Sequence, residues 1–406
     1  MTESLVTWLG TWLGRHESRL IGLRRHLHAH PELAYAERDT TKLICRQLED
    51  AGLAPKVLPV GTGLVCDVGP GEQPAVGLRA DLDALPLSDE KDVPYRSRVS
   101  GVSHACGHDV HTTCLLGAAL ALADLDREGR LPGRVRLVFQ PAEESVPGGA
   151  LDVIAAGGLE GVRAMFALHC DPKVPVGQVG LKEGAITSAC DAVSVRLVGE
   201  GGHTARPHLT SDLVYALGDV ITRVPALLSR RVDPRAGLSL VWGRVTAGAT
   251  HNVIPQSGSA AGTVRTLDRD AWHEAPALVQ GLIDTVLAPY KLGVDVEYRR
   301  GLPPVMNAPD STALMAAATV AVLGPDSVVP TEQSLGGEDF AWYAEQVPAA
   351  LARLGVRAPG DTRVLDIHRG TFDVDERAVG CGVRVLLATA LAALEQPVDQ
   401  WATYQP

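Results

Sequence analysis

The sequence predicts an α/β fold with two domains, and three observations support this. The chain has 406 residues, which is longer than domains with a single hydrophobic core usually are. Of these residues, 46% are hydrophobic. Aromatic residues are only 4%, so small aliphatic side chains must do most of the packing. Short apolar segments bounded by Gly or Pro alternate with segments of helical periodicity, an alternation typical of helices packed on a sheet.

Two helices are predicted within residues 17–51, because leucines recur at helical spacing on both sides of a break at Pro31. His26, His28 and His30 fall in the first helix at every second position. Side chains two residues apart do not face each other on a helix, so these three histidines cannot share one face. We therefore expect surface or capping roles for them.

Polar side chains arrive at the ends of successive apolar strands, where open α/β sheets place their chemistry. The adjacent carboxylates of Glu143 and Glu144 repel each other unless a cation or a proton relieves the repulsion. A solvent-exposed acidic loop is the alternative, because water would also relieve it. The predicted strands are 63–68, 75–79, 134–139 and one from 164, and the polar groups after the last three are Asp81 and Asp83, Glu143 and Glu144, and His169.

The densest cluster of potential metal ligands is His104–His111, which reads His-Ala-Cys-Gly-His-Asp-Val-His. Cysteine and histidine are ligands that zinc and related ions prefer, and a core helix has no packing reason to concentrate them. A helix is predicted from about 109 to 125, so Cys106 and His108 lie at its start. A metal site is one interpretation, and a polar helix start with solvated histidines is the other. His368, alone before the predicted last helix, gains meaning only from partners elsewhere.

From about residue 188 the pattern changes to a compact βαββαβ order. This is the order of a ferredoxin-like sandwich of four strands and two helices, which can fold as its own unit. We therefore expect a second domain inserted into the first. Its predicted elements are strand 191–198, helix 211–229, strands 237–246 and 256–266, helix 270–287 and strand 294–299.

Charge and composition restrict the partners. The formal net charge of −11 argues against a nucleic-acid partner, which would need a basic face. The first residues lack the basic and apolar regions of a signal peptide, and nowhere are 18 apolar residues consecutive, so we expect a cytoplasmic protein without membrane association. The seven cysteines are scattered and form no CxxC pair, which predicts reduced thiols.

The motifs taken together resemble those of the M20 metallopeptidases and aminoacylases. The similarity is to the branch of N-acyl-amino-acid amidohydrolases that includes hippurate hydrolases and auxin-conjugate hydrolases. The matching motifs follow the family's order over nearly the whole chain: LRADLDALP at 78–86, HACGHDVHT at 104–112, FQPAEE at 139–144, His169, GGHTARPH at 201–208, NVIP at 252–255, GTVRT at 262–266, GGEDF at 336–340 and His368.

The resemblance implies a mixed-sheet, zinc-peptidase-like catalytic domain at 1–187 and 302–406 and an inserted lid and dimerisation domain at 188–301. It also implies a homodimer and two divalent metal ions per subunit, which could be Zn, Mn, Co or Ni. The implied ligands are Cys106 as a bridge between the ions, Glu144 and His368 on one ion, and His108 and His169 on the other. Other branches place a histidine ligand where this chain has Arg79, and His108 is its expected replacement.

The same resemblance implies hydrolysis of N-acyl-L-amino acids with Glu143 as the general base toward water. Asp81 would orient a ligand. His203, supplied in many members by the lid of the partner subunit, would stabilise the oxyanion. Asn252 and Arg265 would hold the substrate carboxylate, although a solvated strand arginine is the alternative for Arg265. Alternatives for the whole protein are a dipeptidase, an N-carbamoyl-amino-acid hydrolase, or a metal-free binding protein on the same scaffold.

Two departures from the family pattern leave the acyl pocket open. After the last histidine ligand the family often has a proline-containing segment, whereas this chain continues Arg-Gly-Thr-Phe after His368. Cys170 stands where the family often has valine. We expect ligation to survive both changes, so the reaction is better specified than the substrate.

Overall fold

The computed structural model describes residues 3–72 and 76–397. Its helices are α1 (Glu3–Ala29), α2 (Arg38–Asp50), α3 (His108–Arg127), α4 (Ala150–Ala155), α5 (Leu213–Leu228), α6 (Arg269–Leu287), α7 (Pro309–Leu323), α8 (Ala341–Ala344) and α9 (Arg377–Leu394). Its strands are β1 (Lys56–Val57), β2 (Leu64–Val68), β3 (Val76–Asp81), β4 (Val135–Gln140), β5 (Ala164–Pro175), β6 (Val179–Leu181), β7 (Gly184–Ala185), β8 (Cys190–Val198), β9 (Gly202–His203), β10 (Ser239–Ala247), β11 (Val253–Ile254), β12 (Ser257–Arg265), β13 (Gly293–Leu302), β14 (Met306–Asn307), β15 (Val328–Pro330) and β16 (Ala349–Arg357). Of the sequence predictions, Ala75 and the domain ends at 1–2 and 398–406 lie outside the described residues.

The described residues form two compact units. The first lies within Met1–Ile186, Met306–Glu332 and Asp339–Pro406, and the second comprises Thr187–Val305 and Gln333–Glu338. Along the chain, the second unit is therefore inserted into the first. Each unit has its own cluster of buried hydrophobic side chains.

A mixed sheet is the centre of the first unit. Within the described residues its strand order is β1-β2-β4-β3-β5-β16-β6-β15. β3 is parallel to β4 and β5, whereas β2 is antiparallel to β4. Arg79 pairs with Val138 on one side and with Ala167 on the other, so β3 lies between β4 and β5 and its carboxyl end is beside the middle of β5. The predicted α/β fold class is confirmed.

The strands that carry Asp81 and His169 reach further than predicted. β3 includes Asp81, which pairs with Gln140 of β4 instead of following the strand. His169 does not end its strand, because β5 continues to Pro175. The reason is β16, which lies parallel to β5 and pairs with Cys170, Asp171 and, after a register shift, Pro175. A strand neighbour more than 170 residues away along the sequence is not visible in the local pattern.

Helices α3 and α9 supply much of the core of the first unit. A Cβ at Gly117 of α3 would lie 2.5 Å from Val383 Cγ2 of α9, so the two helices approach closely only because this position is glycine. α9 is also the one helix among the described residues that is long and apolar enough to cross a membrane by length and composition. In this structure, 72% of it is buried inside the protein, as in a core helix.

The second unit is a four-stranded antiparallel sheet in the order β10-β12-β8-β13, with α5 and α6 packed on it. This is the strand order of the ferredoxin-like sandwich that the sequence predicts. Asp191 at the start of β8 is buried and accepts hydrogen bonds from Trp272 Nε1 at 3.1 Å, Tyr298 Oη at 2.8 Å and the Gly301 N–H at 2.8 Å. These contacts join α6 and β13 to β8.

The expected surface role is wrong for one histidine of α1. His28 is completely buried, with Nδ1 2.7 Å from Asp109 Oδ2 and Nε2 3.2 Å from Asp89 Oδ2. Residues far along the chain cover this end of the helix and supply charged partners, which helical spacing alone does not reveal. His30 has a capping contact of the expected kind, with Nδ1 2.8 Å from His26 O.

Candidate metal centre

A glycine in the left-handed backbone conformation separates the two candidate ligands at the start of α3. Gly107 has φ +93° and is the N-cap residue of the helix, between Cys106 and His108. An added Cβ there would be strained by this backbone conformation and would lie 2.8 Å from Cys170 Sγ. The sequence therefore needs glycine at this position to place a cysteine just before the helix and a histidine at its first residue.

The structure brings the five predicted ligands together as two groups of three that share Cys106. One group is Cys106, His108 and His169, and the other is Cys106, Glu144 and His368. Within each group the potential ligand atoms all lie within 4.8 Å of one another. Cys106 Sγ is 3.4 Å from His169 Nε2, and His368 Nε2 is 3.3 Å from Glu144 Oε1. Sulfur, nitrogen and oxygen donors in this arrangement suit divalent transition metals.

Backbone carbonyls orient two of the histidine rings. His108 Nδ1 is 2.9 Å from the Asp83 carbonyl oxygen, and His169 Nδ1 is 2.8 Å from the Cys170 carbonyl oxygen. A carbonyl oxygen only accepts, so each Nδ1 carries the hydrogen, and in the neutral ring each Nε2 keeps its lone pair. Metal-binding histidines are commonly fixed in this way.

An unsatisfied buried nitrogen supports the fit of a cation. Within the described residues, His108 Nε2 is buried and has no hydrogen-bond partner of acceptable geometry. Carboxylate oxygens of Asp81, Glu143 and Glu144 lie 3.8 to 3.9 Å from it. A buried ring nitrogen without a hydrogen bond and a group of buried carboxylates are both costly, and a cation in the space between them would compensate both. The residues present therefore fit a bound metal ion.

Metal binding would change the protonation of two of the three buried ligands. Burial raises the pKa of the Cys106 thiol to about 12, so at neutral pH the metal-free side chain is a thiol. Burial lowers the pKa of His169 well below its usual value, which keeps that ring neutral and able to ligate. Burial also opposes charging of His108, but the Asp81 carboxylate and Cys106 together raise its pKa well above the usual value. A divalent cation would favour the thiolate and the neutral rings.

Asp83 fixes the loop that carries the two glutamates. Its carboxylate accepts hydrogen bonds from the backbone N–H groups of Glu143 at 3.0 Å and Glu144 at 2.9 Å. Ala142, just before them, has φ +54° and donates its N–H to Glu37 Oε1 at 2.8 Å. From the sequence, Asp83 is only a polar residue near a strand end, and this role is not predicted. Nothing local to Asp83 points to a partner 60 residues later.

Asp81 contacts neighbours of the ligands more closely than the ligands themselves. Its carboxylate accepts hydrogen bonds from Arg79 Nη1 and from His111 Nδ1, both at 2.7 Å. His111 Nε2 in turn accepts the N–H of Cys170 at 2.7 Å, beside His169. Arg79 is completely buried, and its guanidinium also donates to Asp339 Oδ1 at 2.7 Å.

His368 reaches the cluster from a loop with an unusual backbone. Its φ is +59°, in the left-handed region that side chains disfavour, and its N–H donates to the Ala105 carbonyl at 2.7 Å. The side chain is 51% exposed, whereas that of Glu144 is 14% exposed. The hydrogen bond to Ala105 joins this loop to the residue before Cys106.

The three remaining predicted site residues lie in the second unit. His203 of β9 pairs with Val253 of β11, so Asn252 is next to it on this short ribbon. Both side chains are exposed, and the Thr204 N–H donates to the Asn252 carbonyl at 3.3 Å. Arg265 at the end of β12 donates to the Leu335 carbonyl oxygen. The structure thus brings His203 and Asn252 together at one two-stranded ribbon, whereas Arg265 belongs to the four-stranded sheet.

Comparison with known proteins identifies the family. A model of peptidase family M20/M25/M40 matches residues 77–392. N-acetyl-L-cysteine deacetylase of Bacillus subtilis is 39% identical over 89% of this chain and 85% of its own length. The crystal structure of a dinuclear metal-binding peptidase of the M20 family, also from Bacillus subtilis, superposes with a TM-score of 0.82 at 34% identity and covers 95% of this chain and 99% of its own.

A putative glutamate–cysteine ligase 2-3 of Rhodococcus jostii is 51% identical over 92% of this chain. The chain spans only 46% of that relative's length. The predicted resemblance is confirmed by the family match, and the two groups of ligand atoms agree with metal binding. The chain belongs to peptidase family M20/M25/M40 and is a hydrolytic enzyme that acts on amide bonds.

Proposed function

We propose that this protein hydrolyses the amide bond of N-acyl-L-amino acids, giving a carboxylic acid and an amino acid. The observation that carries the proposal is the pair of ligand groups that share Cys106, with the Glu143 carboxylate 3.9 Å from His108 Nε2. The similarity to an N-acetyl-L-cysteine deacetylase supports an acylated amino acid as the substrate class.

In this proposal two divalent ions are held by the residues that the structure groups. Cys106 is shared, His108 and His169 complete one set, and Glu144 and His368 complete the other. Bound there, the ions would polarise the substrate carbonyl and lower the pKa of water toward neutrality. Zn, Mn, Co and Ni all suit this mixture of donors.

Glu143 is the proposed general base. Its side chain is 9% exposed, and Asp83 fixes its backbone N–H. It takes a proton from the attacking water and returns it to the amine nitrogen as the amide bond breaks. The neighbouring Glu144 cannot share this role while it serves as a ligand, so the two adjacent carboxylates divide the work.

The remaining roles fall to the second unit. His203 donates a hydrogen bond to the developing oxyanion, and Asn252 and Arg265 bind the substrate carboxylate. We propose residues 1–187 and 302–406 as the catalytic domain and 188–301 as the lid, through which two subunits form a homodimer. The seven free cysteines support a cytoplasmic location.

A substrate panel tests the proposal. The purified, metal-loaded protein is given N-acetyl, N-benzoyl and N-carbamoyl amino acids and dipeptides, with the Glu143→Gln protein as the control. We expect the highest kcat/KM on an N-acyl-L-amino acid, and loss of this activity in the control. Faster cleavage of dipeptides or carbamoyl compounds would replace the proposed substrate class, and no hydrolysis of any of them would reject it.

A further inference from the structure

We propose that Arg24 is a positioning residue that holds one half of the metal centre in place, and that this half binds its ion more weakly than the other. The outer half-site is Cys106, Glu144 and His368, and the buried half-site is Cys106, His108 and His169. The inference rests on the proposed metal-dependent function and adds to it an order of metal binding and the residue that sets it.

The two half-sites differ in how firmly their ligands are held. In the buried half-site, Cys106, His108 and His169 are exposed by 5%, 1% and 6%, and backbone carbonyls fix both rings. In the outer half-site, the His368 side chain is 51% exposed and its backbone is in the left-handed region. A ligand on an exposed, strained loop loses more freedom on binding a metal unless another contact holds the loop.

Arg24 supplies such a contact, in addition to the hydrogen bond from the His368 N–H to the Ala105 carbonyl. It is on α1, is buried, and lies between segments that flank the ligands. Its Nε is 2.8 Å from Asp109 Oδ2, and Asp109 directly follows His108. Its Nη2 is 3.7 Å from Asp373 Oδ1, and its Nη1 is 3.4 Å from Glu376 Oε1. Because the guanidinium is planar and rigid, one side chain fixes the start of α3 relative to the chain that follows His368.

Losing Arg24 should affect the two half-sites unequally. Asp109 would keep a second cationic partner, since His28 Nδ1 is also 2.7 Å from Asp109 Oδ2. Asp373 would keep only the Tyr95 hydroxyl, 3.4 Å from its carboxylate oxygens, among the contacts of the described residues. The segment after His368 would therefore lose its buried cationic partner, although the core contacts of Phe372 would remain, while the segment that carries His108 would keep one. The outer half-site should weaken selectively.

Arg25 offers a matched control on the next position of the same helix. It is 49% exposed, and its Nε and Nη2 pair with Glu376 at 2.9 and 2.6 Å. It shares Glu376 with Arg24, but no contact with Asp109 or Asp373 occurs among the described residues. Arg25→Met thus removes a charge and an ion pair at Glu376 but leaves the link from Asp109 to Asp373 intact.

The test is a titration of the metal-free protein with Co²⁺, monitored by calorimetry and by absorption of the thiolate–cobalt complex. The wild type should bind two equivalents in two steps, and His368→Ala should remove the weaker step, which assigns it to the outer half-site. Arg24→Met should raise the dissociation constant of that step by roughly 10- to 100-fold, the usual effect of losing a residue that holds metal ligands in position. The tighter step should not change, and Arg25→Met should match the wild type.

Asp373→Asn is a milder variant that leaves Arg24 in place, and it decides the test if Arg24→Met does not fold. It should weaken the same step without lowering the melting temperature of the metal-free protein appreciably. The inference would be overturned if the dissociation constants of both steps were the same in wild type, Arg24→Met and Asp373→Asn. It would also be overturned if both steps lost affinity equally. A wild type that binds no Co²⁺ would instead reject the proposed function, together with the inference that depends on it.

Discussion

The Asp83 carboxylate accepts a hydrogen bond from the backbone N–H of Glu143 at 3.0 Å, and its other oxygen accepts from Glu144 at 2.9 Å. One buried side chain therefore sets the positions of both the proposed base and a proposed ligand. It does so through their backbones, so the two glutamate side chains remain available for chemistry. The backbone carbonyl of the same residue contacts His108 Nδ1.

Asp83→Asn should lower activity more than it lowers metal content. An amide side chain presents one oxygen and one N–H₂ group, so one of the two backbone N–H groups loses its acceptor. A buried unsatisfied donor costs about 1–3 kcal/mol, and a shift of the base by about 1 Å can reduce kcat about 100-fold. Steady-state kinetics with metal analysis check this, with exposed Asp92→Asn as control. Wild-type kcat in Asp83→Asn would contradict the positioning role.

Glu143→Gln should retain bound metal and lose turnover. The amide cannot accept the proton of the attacking water, and general-base catalysis contributes about 10²- to 10⁴-fold. The ligand atoms are unchanged, so metal content should match the wild type. The measurement is kcat on the best substrate together with metal analysis of the same sample. A fully active Glu143→Gln protein would sink the assignment of the base.

Glu37 should make stability depend on pH. Burial raises the pKa of its carboxyl from 4.5 to about 7. The folded state therefore binds this proton more tightly than the unfolded state, so the stabilisation is complete below about pH 4.5 and is lost as pH rises through about 7. A shift of this size corresponds to roughly 3 kcal/mol. Glu37→Gln, which still accepts the Ala142 N–H, should become the more stable protein at pH 8.

Urea unfolding of wild type and Glu37→Gln at several pH values between 4.5 and 8.5 measures this difference. Exposed Glu49→Gln in the neighbouring helix is the matched control and should follow the wild type at every pH. A difference between Glu37→Gln and wild type that stays constant over the range would show that Glu37 does not titrate in this way.

Mixing two inactive proteins tests whether the lid acts on the partner subunit. Glu143→Ala lacks the base and His203→Ala lacks the proposed oxyanion donor, and these residues lie in different units of the chain. If His203 serves the partner's site, a mixed dimer contains one complete site and regains part of the activity. As the control, Glu143→Ala protein that is taken through the same mixing procedure alone should stay inactive. Verified mixed dimers without activity would place His203 in the site of its own subunit.

The pattern of strand ends predicted much of the candidate site. Asp81 and Glu144 were expected near one edge of a sheet, and the register of β3 and β4 places their strands side by side in parallel. His169 belongs to β5, which is also parallel to β3. A strand end can be predicted from the sequence because the apolar run and the polar residue that follows it are neighbours along the chain. The convergence of Cys106 and His368 required the resemblance to a family.

What the sequence did not predict depends on contacts between distant residues. His28 of α1 is buried because Asp89 and Asp109 approach it, 61 and 81 residues further along the chain. β5 continues past His169 because β16 pairs with it. Neither the charge partner of a buried residue nor the neighbour of a strand has a local signal, so helical spacing and strand alternation cannot supply them.

The number of metal ions that each chain binds tests the central claim most directly, which is that two ions share Cys106. Metal analysis of the dialysed protein should find two ions per chain in the wild type. Cys106→Ala should lose affinity for both, because the shared ligand is missing, while Cys66→Ala, which removes a buried thiol in β2, should keep two. Two tightly bound ions in Cys106→Ala, as in the wild type, would contradict the account.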